Sequence, residues 1–169
     1  WIADSQENLY AGTSAGASSN THACFNVAIG YTAGSKLGSA GAGWGQNNVF
    51  IGKCTGAIDT NGLCNTFIGG YAGKSNGSGF YNTFLGFCAG ASNGTANASV
   101  YVGCKAGASA NAYYNTFLGG NAAASATGCS NVAIGHNATL PIQNGNFQLA
   151  IGSGSNNWIN GNSDFSQQI

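Results

Sequence analysis

Short apolar runs closed by glycine recur along this chain at a nearly fixed interval. The closing glycines are Gly12, Gly30, Gly52, Gly69, Gly86, Gly103, Gly119, Gly135 and Gly152, spaced by 18, 22, 17, 17, 17, 16, 16 and 17 residues. The fullest units read Asn26-Val27-Ala28-Ile29-Gly30-Tyr31-Thr32-Ala33-Gly34 and Asn82-Thr83-Phe84-Leu85-Gly86-Phe87-Cys88-Ala89-Gly90. Three β-branched, aromatic or aliphatic residues followed by glycine predict a short strand, and no window carries a helical period. The second glycine, four after the first, predicts a bend where a side chain would clash or φ must be positive. A fixed period of this size signals stacked repeats. The expected fold is therefore all-β: a β-solenoid or β-roll of about nine coils of 16–18 residues, each with two or more short strands. At about 4.8 Å per layer it is a rod on the order of 43 Å long. Residues 1–152 form the repeat, and 153–169 are expected to be a C-terminal cap or docking segment.

Columns of like residues follow from the stacking. The asparagine four before each anchor recurs at Asn8, Asn26, Asn48, Asn65, Asn82, Asn115 and Asn131, with Ser99 and Gln148 in the other two coils. Stacked amides of this kind predict a hydrogen-bonded ladder. The slot just before the anchor is mostly Ile, Leu or Val, which predicts the coil interior. Its neighbour holds Tyr10, Ala28, Phe50, Phe67, Phe84, Tyr101, Phe117, Ala133 and Ala150, and adjacent strand residues point to opposite faces. A thin coil then leaves six rings outside, a stripe of about 900 Å² at roughly 150 Å² per ring, more than a monomer usually exposes. Phe50, Phe67, Phe84, Tyr101 and Phe117 are accordingly expected at an interface between chains, most simply in a homotrimer. The alternative is a wider monomeric coil that encloses both faces.

The units 26–30 and 131–135 resemble the repeats of trimeric autotransporter adhesin heads, which form left-handed β-rolls in trimers. The longer Asn-Thr-Phe-Ile/Leu-Gly-x-x-Ala-Gly form at 65–73 and 82–90, with a variant at 115–123, is similar to repetitive tail-fibre proteins of marine bacteriophages, cyanophages especially. The stretch 145–152 followed by 157–163 is similar to the closing segment of such fibres. The spacing near 17 exceeds that of the adhesin heads, and the 169 residues carry no segment that is expected to be a membrane anchor or an intramolecular chaperone domain. The resemblance implies a structural fibre in a virion tail or another extracellular appendage, with attachment to host-surface glycans.

Composition narrows the chemistry. Of 169 residues only 5% are charged, against roughly 25% in ordinary domains. Four lysines and four acids give zero net charge, which argues against a nucleic-acid surface or a polybasic membrane patch. Apolar runs are too short for a membrane helix, and no signal peptide is evident. A chain that begins at Trp1 and contains no Met reads as a processed product or a piece of a longer one.

No enzyme is expected, nor any metal or cofactor. Gly12-Thr13-Ser14-Ala15-Gly16 matches a nucleophile elbow, but later units place Thr32, Cys54, Tyr71, Cys88, Lys105 and Asn121 at the Ser14 slot. His22, His136, Asp4, Asp59, Asp164 and Glu7 lie in different units, without a spacing that argues for acid–base work. Cys24, Cys54, Cys64, Cys88, Cys104 and Cys129 lack metal-ligand spacing and read as free, buried or semi-buried packing residues. Four Asn-x-Ser/Thr sequences, at Asn76, Asn93, Asn97 and Asn137, read as chance products. Glycan contact would use exposed rings, for which Tyr31, Trp44, Tyr113, Tyr114 and the Phe80-Tyr81 pair are candidates. The partners expected are further copies of the chain and a host glycan. A rival is a filament whose end coils stack through bare strand edges, with Trp1-Ile2 and Trp158-Ile159 as caps or docking strands. A polysaccharide-cleaving β-helix would need a cluster of charged groups that this chain lacks.

Overall fold

The structure, a computed structural model, describes residues 4–39, 43–154 and 156–161. Trp1-Ile2 and Asp164, together with the end of the 157–163 segment, lie outside the described residues. Each unit contributes one three-residue strand: β1 (Leu9–Ala11), β2 (Val27–Ile29), β3 (Val49–Ile51), β4 (Thr66–Ile68), β5 (Thr83–Leu85), β6 (Val100–Val102), β7 (Thr116–Leu118) and β8 (Val132–Ile134). They are followed by β9 (Leu149–Ser153) and β10 (Asn156–Gly161). β1 to β9 pair in parallel, in sequence order and in register, and β10 folds back antiparallel on β9. Nine parallel strands enclose about eight turns of a β-solenoid. Instead of a second strand in every coil, a partial ladder of single bridges joins Gln46, Leu63 and Phe80. The turns are tied layer to layer as well, as in Gly73 N–H to Ala89 O and Gly90 N–H to Ala106 O, so backbone polar groups are satisfied outside the strands.

The inside and the outside of the strands are reversed from the sequence expectation. Phe50, Phe67, Phe84, Tyr101 and Phe117 are completely buried, so these five are core residues rather than the interface between chains. Their rings stack along the rod, with centroids 4.7 to 5.0 Å apart and planes within 17° of parallel. That spacing is the strand spacing itself. The slot before the anchor points outward, and Ile29, Ile51 and Ile68 are each more than a third exposed.

The second glycine explains the reversal. A Cβ added at Gly90 would lie 2.6 Å from the Phe84 ring, and one at Gly107 would lie 2.7 Å from Tyr101. The missing side chains give the rings room to lie flat across the coil, wide enough to swallow them. Where the ring slot holds Ala28, Leu37 is buried in the vacated space, packed near Gly34 and Phe50. Where it holds Ala133, Leu140 packs against the core.

The buried asparagines form a ladder between side chain and backbone. Oδ1 of Asn8, Asn26, Asn48 and Asn65 accepts the backbone N–H of Asn26, Asn48, Asn65 and Asn82, each at 2.9 Å. Nδ2 of Asn48, Asn65 and Asn82 donates to the carbonyl oxygens of Gly62, Gly79 and Ala96. Direct amide-to-amide bonds, the form expected from sequence, accompany these only at Asn26 and Asn48. Ser99 continues the column through Oγ, which accepts from Asn115 N–H at 3.2 Å, and Asn131 follows on Asn115.

The ladder is closed at both ends by the chain itself. Asp4 Oδ1 accepts the Asn8 N–H at 2.8 Å, and Oδ2 accepts its Nδ2 at 3.2 Å, as a preceding coil would. At the other end the Gln148 amide turns onto the backbone of Ile142, with both bonds at 2.7 Å.

Two interior polar groups make testable statements. The Tyr101 hydroxyl is buried without a hydrogen-bond partner. Ser99, Asn115 and Asn93 surround it, yet burial dominates and raises its pKa. Because its neighbours in the stack are phenylalanines, Tyr101→Phe is expected to raise stability by about 1 kcal/mol, read as a higher thermal midpoint.

Asp59 is fully buried beside the ladder. It accepts from Gly62 N–H at 2.6 Å and from Asn65 and Asn76 Nδ2 at 3.3 and 3.2 Å. Burial pushes its carboxyl up to about 7 against those donors. Asn76 Nδ2 donates to Gly79 O at 3.1 Å as well, so that amide is held with its donors toward the carboxyl. The unfolded carboxyl ionises near 3.9, so folded stability is full below about pH 4 and falls as pH rises toward 7, by a total on the order of 4 kcal/mol. Denaturant titrations of the natural chain at pH 4 and pH 8 should show that loss, and Asp59→Asn should flatten it.

Candidate functional site

The outer face of the strand column is a continuous feature that runs from β1 to β9. In each strand the first and third residues point outward, giving rows such as Val49 and Ile51, Thr66 and Ile68, Thr83 and Leu85, and Val100 and Val102, all exposed or half-buried. No charged side chain interrupts these rows. Phe25, Tyr81, Tyr114 and Phe147 stand at the corner before the strands, each more than half exposed, and Tyr31 and Phe87 follow the strands. The corner residues adopt left-handed backbone, with φ between +54° and +62° at Phe25, Cys64, Tyr81, Tyr114 and Phe147. Such a corner turns the chain sharply while the next residue, an asparagine in four of the five and Gln148 in the last, enters the ladder. Nine layers by one strand length make about 400 Å² of sheet, and the flanking rings roughly double it. That matches the roughly 800 Å² per partner of a stable protein interface.

The rings singled out from sequence do not converge on one site. Tyr113 and Tyr114 touch each other, centroids 6.4 Å apart, as do Phe80 and Tyr81 at 5.6 Å. Both pairs precede their strands, whereas Tyr31 follows β2, so they edge opposite ends of the column. Tyr31, Trp44, Tyr113 and Tyr114 are all exposed.

Ser14 occupies an exposed left-handed corner shared with Thr32, Cys54, Tyr71, Cys88, Lys105 and Asn121, all with φ between +52° and +61°. Its slot is a recurring bend rather than a strained nucleophile turn. The six cysteines are free, but none is fully buried, and Cys64 and Cys104 are exposed. Cys24, Cys54, Cys88 and Cys129 hold the semi-buried place expected of them, and only Cys64 and Cys104 depart from it. Asn76 and Asn93 are completely buried, which closes those two sequences to glycan transfer in the folded chain. Among the described residues, no three His, Cys, Asp or Glu are grouped to hold a metal.

The sequence reading missed the burial of Asp59. Its signal was positional, because Asn76 and Asn93 share with Asp59 the seventh place after the anchor. A shallow groove of about 410 Å³ lies beside coils seven and eight, lined by Asn121, Asn137, Thr139, Leu140 and Gln143 among others. Its lining is uncharged and offers no acid–base pair. No family model, no curated protein and no solved structure matches the chain, so its functional reading rests on these surfaces and on the repeat.

Proposed function

We propose that this chain is a non-enzymatic structural protein, a stiff β-solenoid that associates side by side with copies of itself, most simply as a homotrimer. In this reading it forms the shaft or distal part of a phage tail fibre or a similar extracellular adhesive appendage and serves host-surface attachment. The carrying observation is the uncharged apolar face that runs the length of the sheet. Fully solvated, a patch of this size is unfavourable for a monomer, and a second copy presents the same flat, regular surface to cover it. Several copies held on one rigid body convert weak contacts into avidity.

The end-to-end filament is the weaker reading. Asp4 and Gln148 already satisfy the terminal rungs of the ladder, and β10 covers the β9 edge with an antiparallel strand. An incoming parallel coil would have to displace these groups. Light scattering after size separation tests the choice. One closed mass, a small multiple of 16.8 kDa, supports lateral assembly, and a broad length distribution would favour the filament.

A further inference from the structure

All four lysines lie in the turn after the anchor glycine: Lys36 in coil two, Lys53 in coil three, Lys74 in coil four and Lys105 in coil six. Three of them form a continuous ridge. The Lys53 and Lys74 ammonium groups each sit 5.7 Å from the centre of the Tyr71 ring. Lys105 stacks on the same group one layer further along, its backbone N–H bonded to Phe87 O at 2.8 Å, just as Tyr71 N–H bonds to Lys53 O at 2.8 Å. Phe87, half exposed, meets Tyr71 edge to face at 5.9 Å. No described carboxylate balances the ridge. Asp4 and Glu7 belong to the first coil, and Asp59 is buried on its own amide partners.

A chain nearly free of charge thus gathers three cations along one side, two of them over the Tyr71 ring, with no carboxylate beside them among the described residues. We infer that the ridge of Lys53, Tyr71, Lys74, Phe87 and Lys105 binds an acidic polysaccharide laid along the rod. The lysines span three layers, about 14 Å, and meet carboxylate or sulfate groups spaced along a linear polymer. Phe87 offers an apolar platform for the carbon face of a sugar ring. A nucleic acid suits the ridge less well, since tight phosphate tracking draws on about six to ten basic contacts.

This inference rests on the attachment reading and gives its ligand a chemical class. Binding of alginate, dextran sulfate, neutral dextran and a 20-residue thymidine oligonucleotide by calorimetry or interferometry tests it. The natural chain should bind alginate or dextran sulfate, more weakly as salt rises, and leave dextran unbound. Whichever polyanion binds tells carboxylate from sulfate recognition. The variant K53Q/K74Q/K105Q should lose at least about tenfold in affinity, and Phe87→Ser about threefold, with thermal midpoints unchanged because all four side chains are exposed. Equal binding of dextran, tighter binding of the oligonucleotide, an unaffected lysine variant or no polyanion binding at millimolar sugar would each overturn the inference. Alginate binding by a chain that proves monomeric would support the ridge while overturning the assembly reading.

Discussion

Gly86→Ala is expected to lower the thermal midpoint more than any other single glycine-to-alanine change at an ordinary turn, by a loss of about 2–6 kcal/mol. Gly86 has φ +134°, a region that L side chains rarely adopt, and the added Cβ would stand 2.6 Å from Gly103 O and 2.7 Å from its carbonyl carbon. Neither atom can retreat. Gly103 N–H is held by Leu85 O at 2.8 Å, and the same carbonyl–amide bond recurs in the coils on either side. The backbone conformation alone costs roughly 1–3 kcal/mol, and overpacking against a fixed layer adds a similar amount. The two together come to about 2–6 kcal/mol, a large share of the roughly 5–15 kcal/mol that holds a domain folded. Far-ultraviolet circular dichroism through a thermal melt would show it. Gly77→Ala supplies the control, because its Cβ would meet only Gly94 O at an ordinary 3.5 Å, and a shift within about 0.5 kcal/mol is expected there.

Phe84→Ala is expected to cost about 3–5 kcal/mol, the range for emptying a large buried aromatic site. The ring stacks on Phe67 and on Tyr101 at 4.7 Å from each, with planes within 5°, and Gly90 forms its floor. Removal opens a void between two rings that the strand register holds apart, so the layers cannot close over it. Leu85, the next residue, points outward and is half-buried. Leu85→Ser should therefore leave the melt of the isolated chain almost unchanged. Had the rings been the interface, these two outcomes would be exchanged, and chemical denaturation of the pair separates the alternatives.

That exchange also shows what could be read before the structure. The period, the anchor glycines and the asparagine column were legible because each is a single residue type repeating at one place in the coil. The orientation of the strand was not. In Thr83-Phe84-Leu85 the rings and the aliphatic residues alternate on a period of two, both are apolar, and a shift by one residue exchanges the faces. The deciding information lay in compensation between columns. Ala28 goes with Leu37 and Ala133 with Leu140, so two positions share one interior volume, and only the glycine beneath the ring identifies that volume as inside. The lysine ridge was hidden for a related reason: Lys53, Lys74 and Lys105 occupy three different places in their repeats and meet only once the turns are stacked. The scarcity of charge was visible throughout, and interior columns, glycine corners and the outer apolar face together leave the turn as the place where ammonium groups are solvated.

In the proposed assembly the outer strand face, and not the ring column, joins copies of the chain. Sedimentation equilibrium of the natural chain beside I51K/I68K/L85K tests it most directly. The account predicts a closed oligomer for the natural chain and a folded monomer, with its β-sheet spectrum intact, for the variant, since three charges on adjacent layers of this face cannot be buried together. A natural chain that remains monomeric at tens of micromolar, or a variant with the same mass as the natural assembly, would contradict it.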